Sequence, residues 1–299
     1  EIRLSLVGSE MCIRDSCNSS DTEMTSAIKT CNDNKVYLAQ FFRVISQENS
    51  ADIYQAAKDS DYYIGAVHED EPANGEELVN ILLNKGDRNI GLIGWEQGDA
   101  TWLGRWEGYK AGVDKWNEEH PDDQAKLSEP QYAGTTSEGG SKAAEALMAA
   151  DPNLDALIPA GGGGDPLQGA IAAVERAGKT ADIDVVSTDF LPDLGDRLEN
   201  GSMAGESGGH FCDPLIAFMM VYNAVKGNYK DFGGKFEDVP FPYLYVSSAD
   251  DYKNYEKYFV DQLPYTDQEL VDMSKLSLED LRITAQSVSI EDAAARAGK

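Results

Sequence analysis

The sequence predicts an α/β fold with parallel sheets, divided into two domains, and three observations carry that prediction. A chain of 299 residues has room for two domains of ordinary size. From Cys17 onward, apolar runs of strand length alternate with helix-like segments, the order that builds parallel sheets covered by helices. Hydrophobic residues make up 41% of the chain and aromatics 9%, enough apolar side chain to fill real cores.

The elements follow in order. Thr22 to Asn32 reads as a short helix, Val36 to Phe42 (VYLAQFF) as a buried strand and Tyr62 to Val67 (YYIGAV) as another. After His68-Glu69-Asp70, the segment Gly75 to Lys85 sets Leu78, Ile81 and Leu82 on one helical face, with Gly86 as its C-terminal cap. Asn89 to Gly94 (NIGLIG) is a strand. Trp102, Trp106, Tyr109, Val113 and Trp116 then recur at spacings of four, three, four and three, which is the period of an amphipathic helix. Trp106, Tyr109 and Trp116 read as core packing, whereas Trp95 and Trp102, at element ends, suit the mouth of a cleft.

His120 to Glu129 is a polar loop and Ser141 to Ala150 an alanine-rich helix. Leu154 to Ala160 is a strand that runs into four glycines, Gly161 to Gly164. Asp165 as N-cap and Pro166 at the first helical position open a helix through Val174 that stops at Gly178. Asp182 to Asp189 is the next strand, with Asp189 at its C-terminal end, and Ser202 to Gly208 reads as a further one. Asp213-Pro214 repeats the cap signature for an apolar helix ending at Gly227. The tail from Tyr243, rich in tyrosine and acids, reads as a strand followed by short helices.

Charge excludes one class of function. Against 53 acidic residues stand 25 Lys and Arg, a formal charge of −28, and no basic run exists. Phosphate affinity comes from clustered Lys and Arg, so no nucleic acid is expected to bind this fragment. No apolar stretch approaches the roughly 20 residues of a membrane span. The cysteines at 12, 17, 31 and 212 have neither CxxC nor zinc-type spacing.

Glu1 to Ser16 (EIRLSLVGSEMCIRDS) stands apart from the rest. Ile2, Leu4 and Leu6 alternate as in a strand, but the eleven residues from Leu6 to Ser16 match the translation of a transposon-type sequencing adapter. Residues 1–16 are therefore read as adapter-derived and excluded from the fold. On this reading the natural sequence starts in mid-domain near Cys17, and a preceding signal peptide or DNA-binding head has been lost.

Most catalytic chemistry finds no support. The four glycines lack the GK[ST] of a phosphate loop, Pro166 stands where GxGxxG needs its last glycine, and Asp165 would oppose a phosphate. GxSxG is absent, and His68, His120 and His210 are the only histidines, which argues against a triad or a multi-histidine metal site. Paired acids such as Asp122-Asp123 and Asp250-Asp251 read as solvated surface. No cofactor, metal or catalytic group is expected.

What is left is a set of residues just beyond strands, where open α/β sheets bind ligands. They are Phe41, Phe42 and Arg43, then His68, Glu69 and Asp70, with Trp95, Asp165, Asp189 and His210. Flat aromatic faces beside Asp and Arg hydrogen-bonding groups suit a polyhydroxylated small molecule such as a sugar.

At this point the order of segments resembles the type I periplasmic sugar-binding proteins, whose ribose-binding-protein-like fold is shared with lactose-repressor effector domains. The resemblance covers Cys17 to about Gly227. It is carried by YYIGAVHEDEPANGEELVNILLNKGDRNIGLIG, by LGRWEGYKAG, and most specifically by LDALIPAGGGGDPLQGAIAAVERAGKTADIDVVSTDF followed by LENGSMAGESGGHFCDPLIAF. It implies two Rossmann-like lobes joined by a hinge, with residues 17–68 and 208–241 in an incomplete first lobe. Residues 69–207 then form the second lobe, and 242–299 a strand and helical tail.

The resemblance also implies roles. Arg105, in the family's "R..G" element, is a forked donor to ligand hydroxyls or a carboxylate, with Asp189 and Asp165 as acceptors and Phe41, Phe42 or Trp95 as stacking faces. Arg43 falls near a ligand-contacting Asp-Arg pair, and His210 near the last hinge. Glycines replace the family's Asn-Asp after Ala160, and phenylalanine stands where an aspartate is common, which weakens the case for a ribose-like or galactose-like monosaccharide. The implied function is the substrate-binding component of an ABC importer, taking up a carbohydrate by hinge closure and docking on a membrane permease. It would act as a monomer, periplasmic or extracellular, with a lipoprotein anchor as an option. The alternative is the effector domain of a LacI-type regulator without its DNA-binding head, against which the acidity and the long tail both argue.

Overall fold

The structure, a computed structural model, describes residues 14–17, 21–42, 44–47, 50–161, 165–209, 213–229 and 236–298. Their order is β1 (Arg14–Cys17), α1 (Asp21–Asp33), β2 (Leu38–Phe41), α2 (Ala51–Lys58), β3 (Tyr63–Glu69), α3 (Glu71–Lys85), β4 (Asn89–Gly94) and α4 (Ala100–Glu119). Next come β5 (Lys126–Leu127), β6 (Gln131–Tyr132), α5 (Ser137–Ala150), β7 (Ala156–Pro159), α6 (Asp165–Arg176), β8 (Asp184–Thr188), α7 (Leu194–Asn200) and β9 (Gly205–Gly208). The chain continues through α8 (Asp213–Val225), β10 (Glu237–Phe241), β11 (Leu244–Val246), α9 (Ala249–Tyr255), a π-helical turn (Glu256–Val260), α10 (Asp267–Met273), α11 (Leu278–Gln286) and α12 (Ile290–Ala297). The α/β class expected from the sequence is present.

The chain forms two compact units. The first comprises residues 1–69, 210–241 and 265–288, the second 70–209, 242–264 and 289–299. In the first unit a four-stranded sheet runs β1-β2-β3-β10, every pair parallel, so Arg14 to Ser16, which the sequence reading sets outside the fold, pair with Leu38 to Gln40 as an edge strand. Met24, Ile28, Leu38, Ile53 and Tyr63 form its core. A Cβ at Gly65 would lie 2.2 Å from the Glu237 carbonyl oxygen, so only glycine lets β10 close on β3 here.

The second unit holds a sheet in the order β11-β9-β8-β7-β4-β5, with β6 also on β4; β11 runs antiparallel to β9 and the rest are parallel. Leu78, Leu82, Ile90, Leu92, Trp102, Tyr109 and Val186 fill its core. Two helix pairs cross at glycine. A Cβ at Gly75 would meet the Arg105 carbonyl oxygen at 2.1 Å and one at Gly108 the Pro72 oxygen at 2.0 Å, so α3 and α4 touch backbone to backbone. Gly140 and Gly169 do the same for α5 and α6.

Three elements escape periodicity for physical reasons. The acids and Pro240 of β10 interrupt any apolar run, yet the strand lies at the sheet edge, where a missing N–H costs little. The short helices α2 and α7 carry too few apolar repeats to stand out. Helix α3 starts four residues before the expected Gly75, because the Asp70 side chain caps it by accepting from Ala73 N at 3.0 Å and Pro72 suits its first turn. Asp165 is the first residue of α6 rather than its N-cap.

One aromatic expectation is corrected. Trp102 is completely buried in the core, its indole against Gly94, where a Cβ would lie 2.8 Å from the ring; it does not stand at a cleft mouth. Tyr109 is core as expected, with Trp106 and Trp116 packed on the core's edge.

Candidate functional site

The glycine contact between α3 and α4 brings Arg105 against the start of α3. Arg105 is 3% exposed, and its Nε donates to Glu71 Oε2 at 2.6 Å. Its Nη2 donates to Glu71 Oε1 at 3.3 Å and to the Tyr243 hydroxyl at 3.2 Å, while that hydroxyl donates to Glu71 Oε1 at 3.0 Å. The guanidinium carbon stands 5.3 Å from the centre of the Trp95 ring and 5.9 Å from that of Tyr243, within cation–π range. Nη1 is buried and has no hydrogen-bond partner among the described residues.

The electrostatics follow from burial and this pairing. Burial works against a charged guanidinium, but the Glu71 carboxylate overrides it and the Arg105 pKa is raised. Burial, against the opposing pull of Arg105, pushes the Tyr243 phenol well above the ordinary tyrosine range, so it stays neutral. Asp189 also bears on that phenol, which sets it close to the cluster.

Asp189 directly follows β8 in the left-handed region at φ 73°, its N–H donating to the Ser207 carbonyl oxygen at 2.7 Å. The strand end beneath it is pinned: Thr188 Oγ1 accepts from Asn74 Nδ2 and from Ser207 Oγ, each at 3.1 Å. The loop beyond Asp189 is held by Glu206, whose Oε2 accepts from Leu191 N at 2.8 Å. Glu206 is fully buried, and burial, with a smaller push from Asp189, raises its pKa to about 8 despite the Leu191 N–H. The shift favours its neutral form.

The structure thus joins two of the sequence-derived candidates, Arg105 and Trp95, and sets Asp189 near them. Asp70 caps α3 one residue before Glu71. Asp165 is exposed at the start of α6, and nothing links it to the Arg105 cluster. Phe41 and Phe42 belong to the first unit, where they pack edge to face at 4.9 Å. Arg43 and His210 lie outside the described residues. His68 is engaged within the first unit, its Nδ1 donating to the Glu69 carbonyl oxygen at 2.9 Å and its Nε2 lying 2.8 Å from Asp238 Oδ1.

Sequence reasoning missed Glu71, Tyr243, Asn74 and Glu206. Glu71 had a signal, since Asp70-Glu71-Pro72 is a capped helix start directly after a strand. Tyr243 had none, because it reaches the site from the far end of the chain. Among the described residues no group of His, Cys, Asp and Glu could hold a metal ion. No described helix is long and apolar enough to cross a membrane.

A model of the periplasmic binding protein domain matches residues 17–226. The chain belongs to the periplasmic binding protein family. This is a family of binding proteins rather than of enzymes. No curated protein sequence matches the chain.

Among solved structures similar to this family member is an ABC transporter periplasmic solute-binding protein from Actinobacillus succinogenes with bound D-allose. It is 15% identical at a TM-score of 0.62, covering 81% of this chain and 80% of that one. A solute-binding protein from Agrobacterium vitis with bound D-fucose gives 0.58 at 15% identity, over 81% and 75%. A glucose-galactose binding protein from Geobacillus stearothermophilus gives 0.52 at 15%, over 76% and 73%. At such identities the likeness speaks for the fold, which is that of the type I periplasmic binding proteins.

Proposed function

We propose that this protein is the substrate-binding component of an ABC importer and binds a sugar or a closely related small polar solute, without catalysing a reaction. The observation that carries this reading is the Arg105 cluster at the strand ends of the second unit: an oriented guanidinium, two aromatic faces and the half-buried Asp189 carboxylate. A pyranose offers such a site apolar C–H faces for stacking on Trp95 and hydroxyls that both donate and accept. Asp189 takes the role of acceptor and Arg105 Nη1 that of donor. The structural neighbours that bind D-allose, D-fucose and tagatose support the ligand class.

Hinge motion, implied by the family resemblance, would couple capture to delivery at a permease. The protein would work in the periplasm or outside the cell, with a lipid anchor as one means of retention. Trp95 provides the assay. Titration with D-allose, D-fucose, D-tagatose, D-glucose and D-galactose should give a saturable change in tryptophan fluorescence for at least one sugar, and a flat response to all five counts against the reading.

A further inference from the structure

We propose that this site selects uncharged sugars and rejects sugar acids, with Glu71 as the residue that sets the rule by neutralising the arginine a ligand carboxylate would need. The inference rests on the sugar-binding reading and goes beyond it to the charge class of the ligand.

An arginine in a binding cleft ordinarily invites a carboxylate, because its fork matches two oxygens. Here the fork is already taken. Glu71 receives both Nε and Nη2, and Nη2 also serves the Tyr243 hydroxyl. Only Nη1 is left, which suits a single hydroxyl oxygen and not a bidentate anion. Arg197, on α7 beyond the β8 end, is likewise engaged, with Asp193 at 2.9 Å.

The other usual anion receptor is a helix N-terminus, with its free N–H groups and positive dipole end. At this edge of the sheet the helices supply their own carboxylates. Asp70 accepts from Ala73 N on α3, Asp99 accepts from Trp102 N on α4, and Asp165 stands in the first turn of α6. No cationic receptor is left among the described residues around the cluster, while Asp70 and Asp189 add negative charge. A ligand carboxylate would meet like charge at a partly dehydrated face, which selects against it. A hydroxyl meets a donor in Nη1 and an acceptor in Asp189.

The test is a thermal-shift titration of the wild-type protein with matched pairs that differ only in oxidation at C6, D-glucose against D-glucuronate and D-galactose against D-galacturonate, with D-allose and D-fucose as further neutral sugars. Ligand that binds only the folded state raises the unfolding midpoint, the stabilisation growing with the logarithm of ligand concentration over Kd. The expected result is stabilisation by at least one neutral sugar and an affinity for the acid at least about tenfold weaker, equivalent to ~1.4 kcal/mol. A uronate that matches or exceeds its neutral partner overturns the charge rule while leaving sugar binding intact. Stabilisation by no sugar of either kind overturns the sugar reading and this inference with it.

A variant arm isolates the residue. Glu71→Gln should narrow the neutral-to-acid ratio by about tenfold or more in protein that retains its circular dichroism spectrum, and an unchanged ratio overturns the role given to Glu71. Should Glu71→Gln not fold, Asp189→Asn removes one negative charge without touching the ion pair and must shift the ratio the same way; no shift there overturns the rule.

Discussion

Removing the Arg105 guanidinium is the perturbation whose consequences the structure defines best. Arg105→Met keeps most of the aliphatic stem and its packing while deleting the charge. Glu71 would then lose a 2.6 Å charged hydrogen bond and a weaker one at 3.3 Å, and would retain the Tyr243 hydroxyl at 3.0 Å. Breaking a buried ion pair from one side costs about 3–5 kcal/mol. The Glu71 side chain keeps 18% exposure and one donor, so the expected loss is at the lower end, ~3 kcal/mol.

For a domain of this size, that corresponds to roughly 6–12 °C in the unfolding midpoint. Guanidinium chloride unfolding of Arg105→Met, Glu71→Gln and the double variant, followed by circular dichroism, provides the measurement. The double variant should cost less than the sum of the singles by at least about 1 kcal/mol, because the second change removes the charge that the first left unpaired. A loss below about 1 kcal/mol for Arg105→Met, or strict additivity, would refute the view that this pair organises the site.

Three further outcomes follow from the same geometry. Gly108→Ala should destabilise by about 2–3 kcal/mol in thermal unfolding, since its Cβ would sit 2.0 Å from the Pro72 oxygen, and should weaken ligand binding by separating Arg105 from Glu71; wild-type stability would contradict this. Asp189 at φ 73° should tolerate Asn, whereas Asp189→Val should cost a further 1–2 kcal/mol of backbone strain, checked by comparing the two midpoints. Glu206 holds its proton in the fold up to about pH 8 but releases it near 4.5 when unfolded, so its contribution to stability is full below pH 4.5 and is lost as pH rises to 8. Burial, Asp184 and Asp155 raise the Asp87 pKa in the same direction. Glu206→Gln should therefore flatten the fall in midpoint between pH 5 and pH 8, and parallel wild-type and variant profiles would contradict it.

The sequence revealed most where one element reports on itself. The strands β3 and β4 are buried over most of their length, so they appear as apolar runs bounded by polar residues. The α4 helix shows its period because one face packs on the core. Trp102 was misjudged because position at an element end says nothing about what faces it, and the hole that receives its ring exists only because Gly94 lacks a side chain.

The site was half legible. Arg105 was reached through family resemblance, and Asp189 and Trp95 through their places after strands. Glu71 and Tyr243 escaped because their importance is relational: 172 positions separate them, and they meet only once β11 pairs with β9. The pattern LGRWEGYKAG likewise showed its arginine openly but not the purpose of its glycines, which is to let α4 approach α3 closely enough for the ion pair to form.

The central claim, that a sugar is held at the Arg105 face, is tested most directly by calorimetric titration of the wild-type, Arg105→Met and Asp189→Ala proteins with the neutral sugar that gives the largest fluorescence change. The expected result is a one-to-one isotherm for the wild type and loss of measurable heat in both variants while their folded spectra persist. An isotherm unchanged in both folded variants would place the ligand elsewhere and contradict the claim.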